Sequence, residues 1–184
     1  MKLNLGCGLN KLPGFVNVDK FGEPDVRHDL EVFPWPWPDD AFEEMAAVHV
    51  LEHLGRDPEV FIGVMKEIYR VSRHGAKVRV VVPHPRHDNF LSDPTHVRPI
   101  TPLLLNLFSR RLNLEWQAKR AANSPLALYH GVNFEVRSVE VALDEPYHSD
   151  FAAGRLSVAE AERAVRERNN IATEFRIELE VIKP

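Results

Sequence analysis

Hydrophobic and polar positions change rhythm several times along the chain, and each change predicts an element. Lys2–Leu5 is a short extended run that stops at Gly6-Cys7-Gly8. Val16-Asn17-Val18-Asp19 is a second, ending on an acid, with the turn signal Pro13-Gly14 between the two. His28-Asp29-Leu30 closes a third, weakly extended stretch. The segment Phe33-Pro34-Trp35-Pro36-Trp37-Pro38-Asp39-Asp40 excludes helix and central strand, because each proline removes a donor and restricts its neighbour. Met45–Val50 reads as a buried strand. At Asp57 the period becomes helical. Asp57 suits the N-cap and Pro58 the first helical position. Val60, Phe61, Val64, Met65, Ile68 and Val71 then share one face. Arg70, Arg73 and His74 suit the negative end of that helix, and Gly75 suits a left-handed cap. Lys77–Pro83 follows as a Val-rich strand buried on both faces.

The second half carries fewer signals. Thr101-Pro102 opens a helix bearing Leu103, Leu104, Leu107 and Phe108. Phe134–Leu143 alternates but changes phase: Phe134 and Val136 share one face, whereas Val139, Val141 and Leu143 take the other parity. That shift predicts a bulge near Arg137-Ser138. Ser157-Val158-Ala159-Glu160 is a capping box opening a helix to about Arg168. Phe175, Ile177, Leu179 and Val181 alternate with charged residues, as in a half-buried antiparallel strand. Strands alternating with helices early and a strand pair late predict an α/β sheet, mostly parallel, with an antiparallel C-terminal strand. A single domain over residues 1–184 is expected, with an insertion at about 84–131 that holds one helix.

Composition narrows the setting. The 184 residues suit one domain. Acidic residues number 27 against 23 basic, and a net charge of −4 offers no general attraction to nucleic acid or anionic membrane. One cysteine, Cys7, permits no intrachain disulfide and fits a reducing compartment. The opening Met-Lys-Leu-Asn-Leu-Gly lacks the apolar core of a secretion signal, and no apolar run approaches a membrane span. A cytoplasmic protein is expected.

Gly6-Cys7-Gly8 after a strand lets bare main chain approach a ligand at the carboxyl end of a sheet. Asp19, ending the next strand, can accept both hydroxyls of a ribose. An NAD site shares those two features. Its fingerprint, however, wants a third glycine at position 11, where Lys11 stands, and an acid about 20 residues downstream, whereas Asp19 follows Gly8 by 11. Asp29-Leu30 adds a carboxylate able to accept from an adenine amino group beside a leucine able to cover the ring.

The ordered series Leu3-Asn4-Leu5-Gly6-Cys7-Gly8, Asn17-Val18-Asp19, Asp29-Leu30, Pro38-Asp39-Asp40-Ala41-Phe42 and His49-Val50-Leu51-Glu52-His53-Leu54 resembles the class I S-adenosylmethionine-dependent methyltransferases. Within them it resembles the type 11-like group of small bacterial and phage enzymes. The likeness runs from Leu3 to about Pro83 and continues loosely through Asp93–Arg98 and Glu178–Pro184. It implies a Rossmann-like, three-layer fold and S-adenosyl-L-methionine as cofactor. Asn4, Leu5, Gly6, Cys7 and Gly8 would lie along the methionine and ribose. Asp19, Lys20 and Phe21 would take the ribose, Asp29 and Leu30 the adenine, and His49 and Val50 the space under the methionine. Many members carry an acid where Asn4 stands. The first crossover, Leu9–Phe15, is shorter than the dozen residues usual for such a connection and is expected to be a single turn or a loop. The chain opens directly on the first strand, so the helices that often cover the acceptor are not expected.

The cofactor carries the hard chemistry, leaving the protein to orient an acceptor and, for a hydroxyl or amine, to supply a base. His96 and His49 are the candidates for that base, with His53 read as a residue bonded within the fold. His84, His87, Asp88, Asp93 and His96 have metal-ligand chemistry but match no ligand spacing. A polar loop is the reading, and no metal is expected. Arg98, Arg110, Arg111, Lys119 and Arg120 read as a solvated face rather than an acidic-ligand site. The expected function is methyl transfer to a small-molecule or glycan acceptor. The alternative is a non-catalytic module binding S-adenosylmethionine or S-adenosylhomocysteine. No membrane partner is expected, nucleic acid is disfavoured, and a homodimer stays open.

Overall fold

The computed structural model describes residues 1–184. Seven strands form one sheet: β1 (Lys2–Leu5), β2 (Val16–Asp19), β3 (Val26–Arg27), β4 (Phe42–Val48), β5 (Ser72–Pro83), β6 (Phe134–Leu143) and β7 (Ala172–Val181). Their order is β3-β2-β1-β4-β5-β7-β6. Strands β1 to β5 pair in parallel, and β7 runs antiparallel between β5 and β6. The chain moves outward from β1 to β3, then crosses back to β4. That reversal opens a crevice past the carboxyl ends of β1 and β4, the place where open α/β sheets bind ligands.

Helices flank the sheet: α1 (Pro58–Val71), α2 (Asp88–Leu91), α3 (Pro102–Asn106), α4 (Arg110–Ala118), α5 (Leu126–His130), α6 (Tyr147–Ala152) and α7 (Val158–Glu167). Asp57 caps α1 by accepting from the Glu59 N–H, and Phe61, Val64, Met65, Ile68 and Val71 of α1 are buried. They pack with Val78, Val80 and Val82 of β5 and Leu3 and Leu5 of β1 in one core. No helix is long and apolar enough to cross a membrane.

The late elements follow the sequence pattern closely. The pairing of β6 with β7 shifts register between Val136 and Ser138, where the change of phase predicts a bulge. Ser157 and Glu160 form the reciprocal capping box that opens α7. Four expectations need correction. Helix α1 stops at Val71, not Gly75, because Ser72 is already extended and pairs with Phe42; Arg73, His74 and Gly75 therefore belong to an irregular stretch of β5. Strand β4 begins at Phe42 and ends at Val48, since His49 turns to φ +50°. The helix at Thr101 is one short turn, with Thr101 accepting from the Leu104 N–H, and buried Ser109 starts a separate α4. In so short a helix the leucine period does not hold: Leu105 turns inward and Leu103 is 78% exposed. Residues 84–131 thus hold four short helices, not one.

The first crossover contains no helix. Buried Asn17 holds it instead. Its Oδ1 accepts from the Leu12 N–H and the Asn4 amide, while its Nδ2 donates to the Leu12 and Phe15 carbonyls and to Asp25. Asp25 also accepts from the Asn17 N–H and pairs with Lys11 at 2.7 Å. The Lys11 ammonium, helped by Asn17, holds the Asp25 carboxyl at about 2. A folded value below the unfolded carboxylate range of about 3.9 adds stability above that range, lost as pH falls towards 2. Wild type is therefore expected to exceed Asp25→Asn in stability at neutral pH. In denaturant melts, the gap should narrow between about pH 4 and pH 2.

Candidate nucleoside cleft

Past β1 the chain turns at once but stays beside β2, with the Cys7 N–H donating to the Val18 carbonyl. On either side of Cys7, Gly6 (φ +58°) and Gly8 (φ +49°) lie in the left-handed region. A Cβ at Gly6 would overlap the Val50 side chain, whereas Gly8 faces open space. Gly6→Ala is expected to destabilise the fold by about 2–3 kcal/mol, combining left-handed strain with overpacking. Adding Val50→Ala should recover part of that loss in thermal melts, because it removes the overlap and not the strain.

The glycine turn forms one wall of a cleft of about 450 Å³, within the range of small-molecule sites. Asp19 faces it from the end of β2. Its two oxygens accept from the Gly8 and Phe21 N–H groups at 2.8 Å each, so the carboxylate also fixes the turn. Phe21 is 70% exposed at the rim, with the Lys20 ammonium over its ring. Asp29 and Leu30 follow β3 on the same side. Asp29 accepts from the Glu31 N–H and lies 3.6 Å from Lys20 Nζ. The Leu30 carbonyl is held by the Trp35 indole N–H. Trp35 is buried and edge-on to Trp37, so these tryptophans are core, not ligand platforms.

His49 and Val50 form the floor past β4. His49 is a left-handed non-glycine residue whose N–H donates to the Val81 carbonyl. Such strain persists only where surrounding contacts impose it, and it clusters at functional sites. The His49 ring is half-exposed between two carboxylates, with Nδ1 3.4 Å from Glu52 and Nε2 3.3 Å from Glu174. Glu52 is the main cause that raises the imidazole above its ordinary value; burial opposes it and Glu174 adds to it.

Gly6, Gly8, Asp19, Lys20, Phe21, Asp29, Leu30, His49 and Val50 thus meet at one cleft. Three of the cofactor candidates do not line it. Asn4 gives its amide to Asn17 and the Asn10 carbonyl, Leu5 is core, and Cys7 is a buried packing residue. His96 does not line it either. It stands behind His53, stacked on Phe90, with Nδ1 bonded to the Phe90 carbonyl. His28, His53, Leu54 and Thr95 line the cleft without having been expected. Sequence reasoning weighs His53 as a base and reads it as bonded within the fold; the short helical turn Leu51–His53 after β4 brings it to the cleft. The residues His84, His87, Asp88, Asp93 and His96 do not assemble. His87 bonds Asp144, and His84 packs on Phe175. The basic residues also disperse: Arg111 pairs with Glu115 and Glu135, and Arg98 reaches the Gly55 carbonyl. A larger concavity, about 840 Å³, lies by β6, α6 and α7. Val141, Phe151 and Val158 are among its lining, which contains no glycine, and it is remote from the crevice at β1 and β4.

No family model and no curated protein matches the chain. Solved structures do. A S-adenosylmethionine-dependent methyltransferase of Archaeoglobus fulgidus superposes with a TM-score of 0.60 at 19% identity, covering 97% of this chain and 85% of that one. The fold is that of the class I methyltransferases. A second such protein, from Methanosarcina mazei, gives 0.57 at 14% identity over 100% and 92% of the two chains. The Burkholderia thailandensis 1,6-didemethyltoxoflavin-N1-methyltransferase, solved with 1,6-didemethyltoxoflavin and S-adenosylhomocysteine, gives 0.54 at 10% identity over 99% and 71%. In the methyltransferase fold the cleft described here lies at the topological switch point between β1 and β4.

Proposed function

We propose that the cleft binds S-adenosylmethionine and that the chain transfers its methyl group to a small-molecule or glycan acceptor. One observation carries this reading: bare main chain at Gly6 and Gly8 opens on the same cleft as two carboxylates, Asp19 after β2 and Asp29 after β3. Asp19 has a free lone pair on each oxygen beyond its two backbone bonds, enough for a vicinal diol. Phe21 and Leu30 offer apolar surface to a purine, and Asp29 an acceptor for its amino group. Val50, pressed on Gly6, sets how closely a chain on the sulfur side can lie to the backbone.

When bound, the cofactor supplies an electrophilic methyl on a sulfonium. The protein's part is orientation. His49, His53 and Thr95 line the same cleft and offer the side chains that would meet the acceptor. Of the two histidines expected as a base, His49 borders that space, and His96 can act on it only through His53. The Burkholderia enzyme was solved with 1,6-didemethyltoxoflavin bound, which supports the small-molecule reading. The commitment of Asn4 to Asn17 supports the second reading, a binding module without transfer, since no acid stands there for the ammonium of the methionine. Calorimetry with S-adenosylmethionine, S-adenosylhomocysteine and NAD tests the site: the first two should bind and NAD should not. No heat with S-adenosylmethionine at millimolar supply would end the proposal. Labelled methyl transfer to a panel of small acceptors separates enzyme from binding module.

A further inference from the structure

Glu52 is a buried acid that does not line the cleft. It is 1% exposed, and neither carboxylate oxygen has a hydrogen-bond partner. The His49 approach at 3.4 Å is an ion-pair contact that is not aligned as a hydrogen bond. A buried carboxyl group without hydrogen-bond partners is costly unless a donor or a cation meets it. Two histidines converge on the same point: one ligating atom each of Glu52, His53 and His96 lie within 4.8 Å of one another.

Following the protons shows which nitrogens are free. Thr95 Oγ1 donates its only proton to Asp93 at 2.6 Å, so it can only accept from His53 Nδ1 at 2.9 Å. The Phe90 carbonyl can only accept, so His96 Nδ1 carries the proton of their 2.8 Å bond. Each neutral ring is therefore left with its lone pair on Nε2. Asp93 Oδ2 lies 3.8 Å from His96 Nε2, beyond hydrogen-bond reach. Histidine ligands oriented through their other nitrogen by a carbonyl or hydroxyl are the usual outer shell of a metal site. Two imidazole lone pairs and one carboxylate form a donor set for a first-row divalent ion. Bonds of about 2.1 Å would draw the three donors closer together than the 4.8 Å that now bounds them.

We propose that Glu52, His53 and His96 hold a divalent first-row transition-metal ion at the edge of the cleft. His53 and Thr95 both line the cleft, so the site's unfilled positions border the space where an acceptor enters. An oxygen donor on the acceptor would fill one of them; that step rests on the proposed methyl transfer, while the metal site does not.

The test uses the full chain stripped with chelator and titrated with Co²⁺ and Zn²⁺ without nucleoside. One Co²⁺ per chain is expected, with visible absorption from imidazole–carboxylate coordination. Glu52→Gln and His96→Ala should each weaken binding by at least ~10–100-fold. His87→Ala, whose ring bonds Asp144 instead, should leave it unchanged. Glu52→Gln also guards against misfolding as an explanation. In metal-free protein its thermal midpoint should equal or exceed that of wild type, because neither carboxyl oxygen has a hydrogen bond to lose. A lower midpoint would make the His49–Glu52 pair structural and overturn the proposal. So would loading well below one ion per chain, or unchanged affinity in both ligand variants. Metal loading without S-adenosylmethionine binding would overturn the methyl-transfer reading alone; nucleoside binding without metal would overturn only the metal site.

Discussion

Replacing Asp19 with alanine is expected to weaken S-adenosylmethionine binding by about 10²–10³-fold, because two charge-assisted hydrogen bonds of roughly 1.5–3 kcal/mol each are lost. The lower part of the summed range applies, since free Asp19 already spends part of its charge on the Gly8 and Phe21 N–H groups. Those bonds make the variant informative in a second way. Without them the glycine turn and the Phe21 rim lose their anchor, so part of the loss comes from disorder at the cleft mouth. Asp19→Asn keeps an acceptor for one N–H and should fall between wild type and alanine. Calorimetry with S-adenosylhomocysteine reads both effects, and unchanged affinity for Asp19→Ala would remove this residue from the site.

Arg70→Ala is expected to cost about 3 kcal/mol of global stability. The Arg70 guanidinium bonds Glu67 through both Nε and Nη2, and also reaches the Trp35 and Trp37 carbonyls and Asp39. Glu67 is buried and accepts the Trp35 N–H as well. Burial alone would push its carboxyl up; the Arg70 and Trp35 donors outweigh that and hold it below the usual range. Removing Arg70 strands the carboxylate. The expected cost sits at the low end of the 3–5 kcal/mol typical of a broken buried pair, because a quarter of the Arg70 side chain reaches water. A carboxyl lowered on folding contributes above its unfolded value and loses that contribution as pH falls through the folded one. The Arg70→Ala penalty should therefore shrink below about pH 4. Urea melts at pH 7 and pH 3.5 give both numbers. A penalty independent of pH would mean that Arg70 acts by packing alone.

Where local chemistry decides the structure, the sequence announced it. The N-cap at Asp57, the capping box at Ser157 and the phase change before Ser138 each depend on residues a few positions apart, and each is found where expected. The end of α1 was misread because Gly75 makes a good cap locally. Pairing of Ser72 with Phe42 draws the chain into the sheet first, and that contact spans 30 residues. In the cleft, the meeting of glycines and acids at strand ends was legible because their positions follow from strand order. Asn4 was not, since its partners Asn17 and Asn10 come from a crossover with no regular structure. The grouping of His53 with His96 was hidden for the same reason: 43 positions separate them, and the loop that closes the gap has no periodicity.

The bulge in β6 bears on how this chain behaves at high concentration. Strand β6 is the outer margin of the sheet, ten residues long, with Val139 and Val141 partly exposed. A straight, apolar ladder of that length would invite another molecule to add a strand and start an aggregate. The extra residue between Val136 and Ser138, Arg137, breaks the ladder, and Arg137 at the break and Glu140 beyond it put charge on the edge. At the opposite margin β3 has only two residues, too few to template anything. Self-association through strand addition is thus discouraged at both ends by different means: a kink at one, brevity at the other.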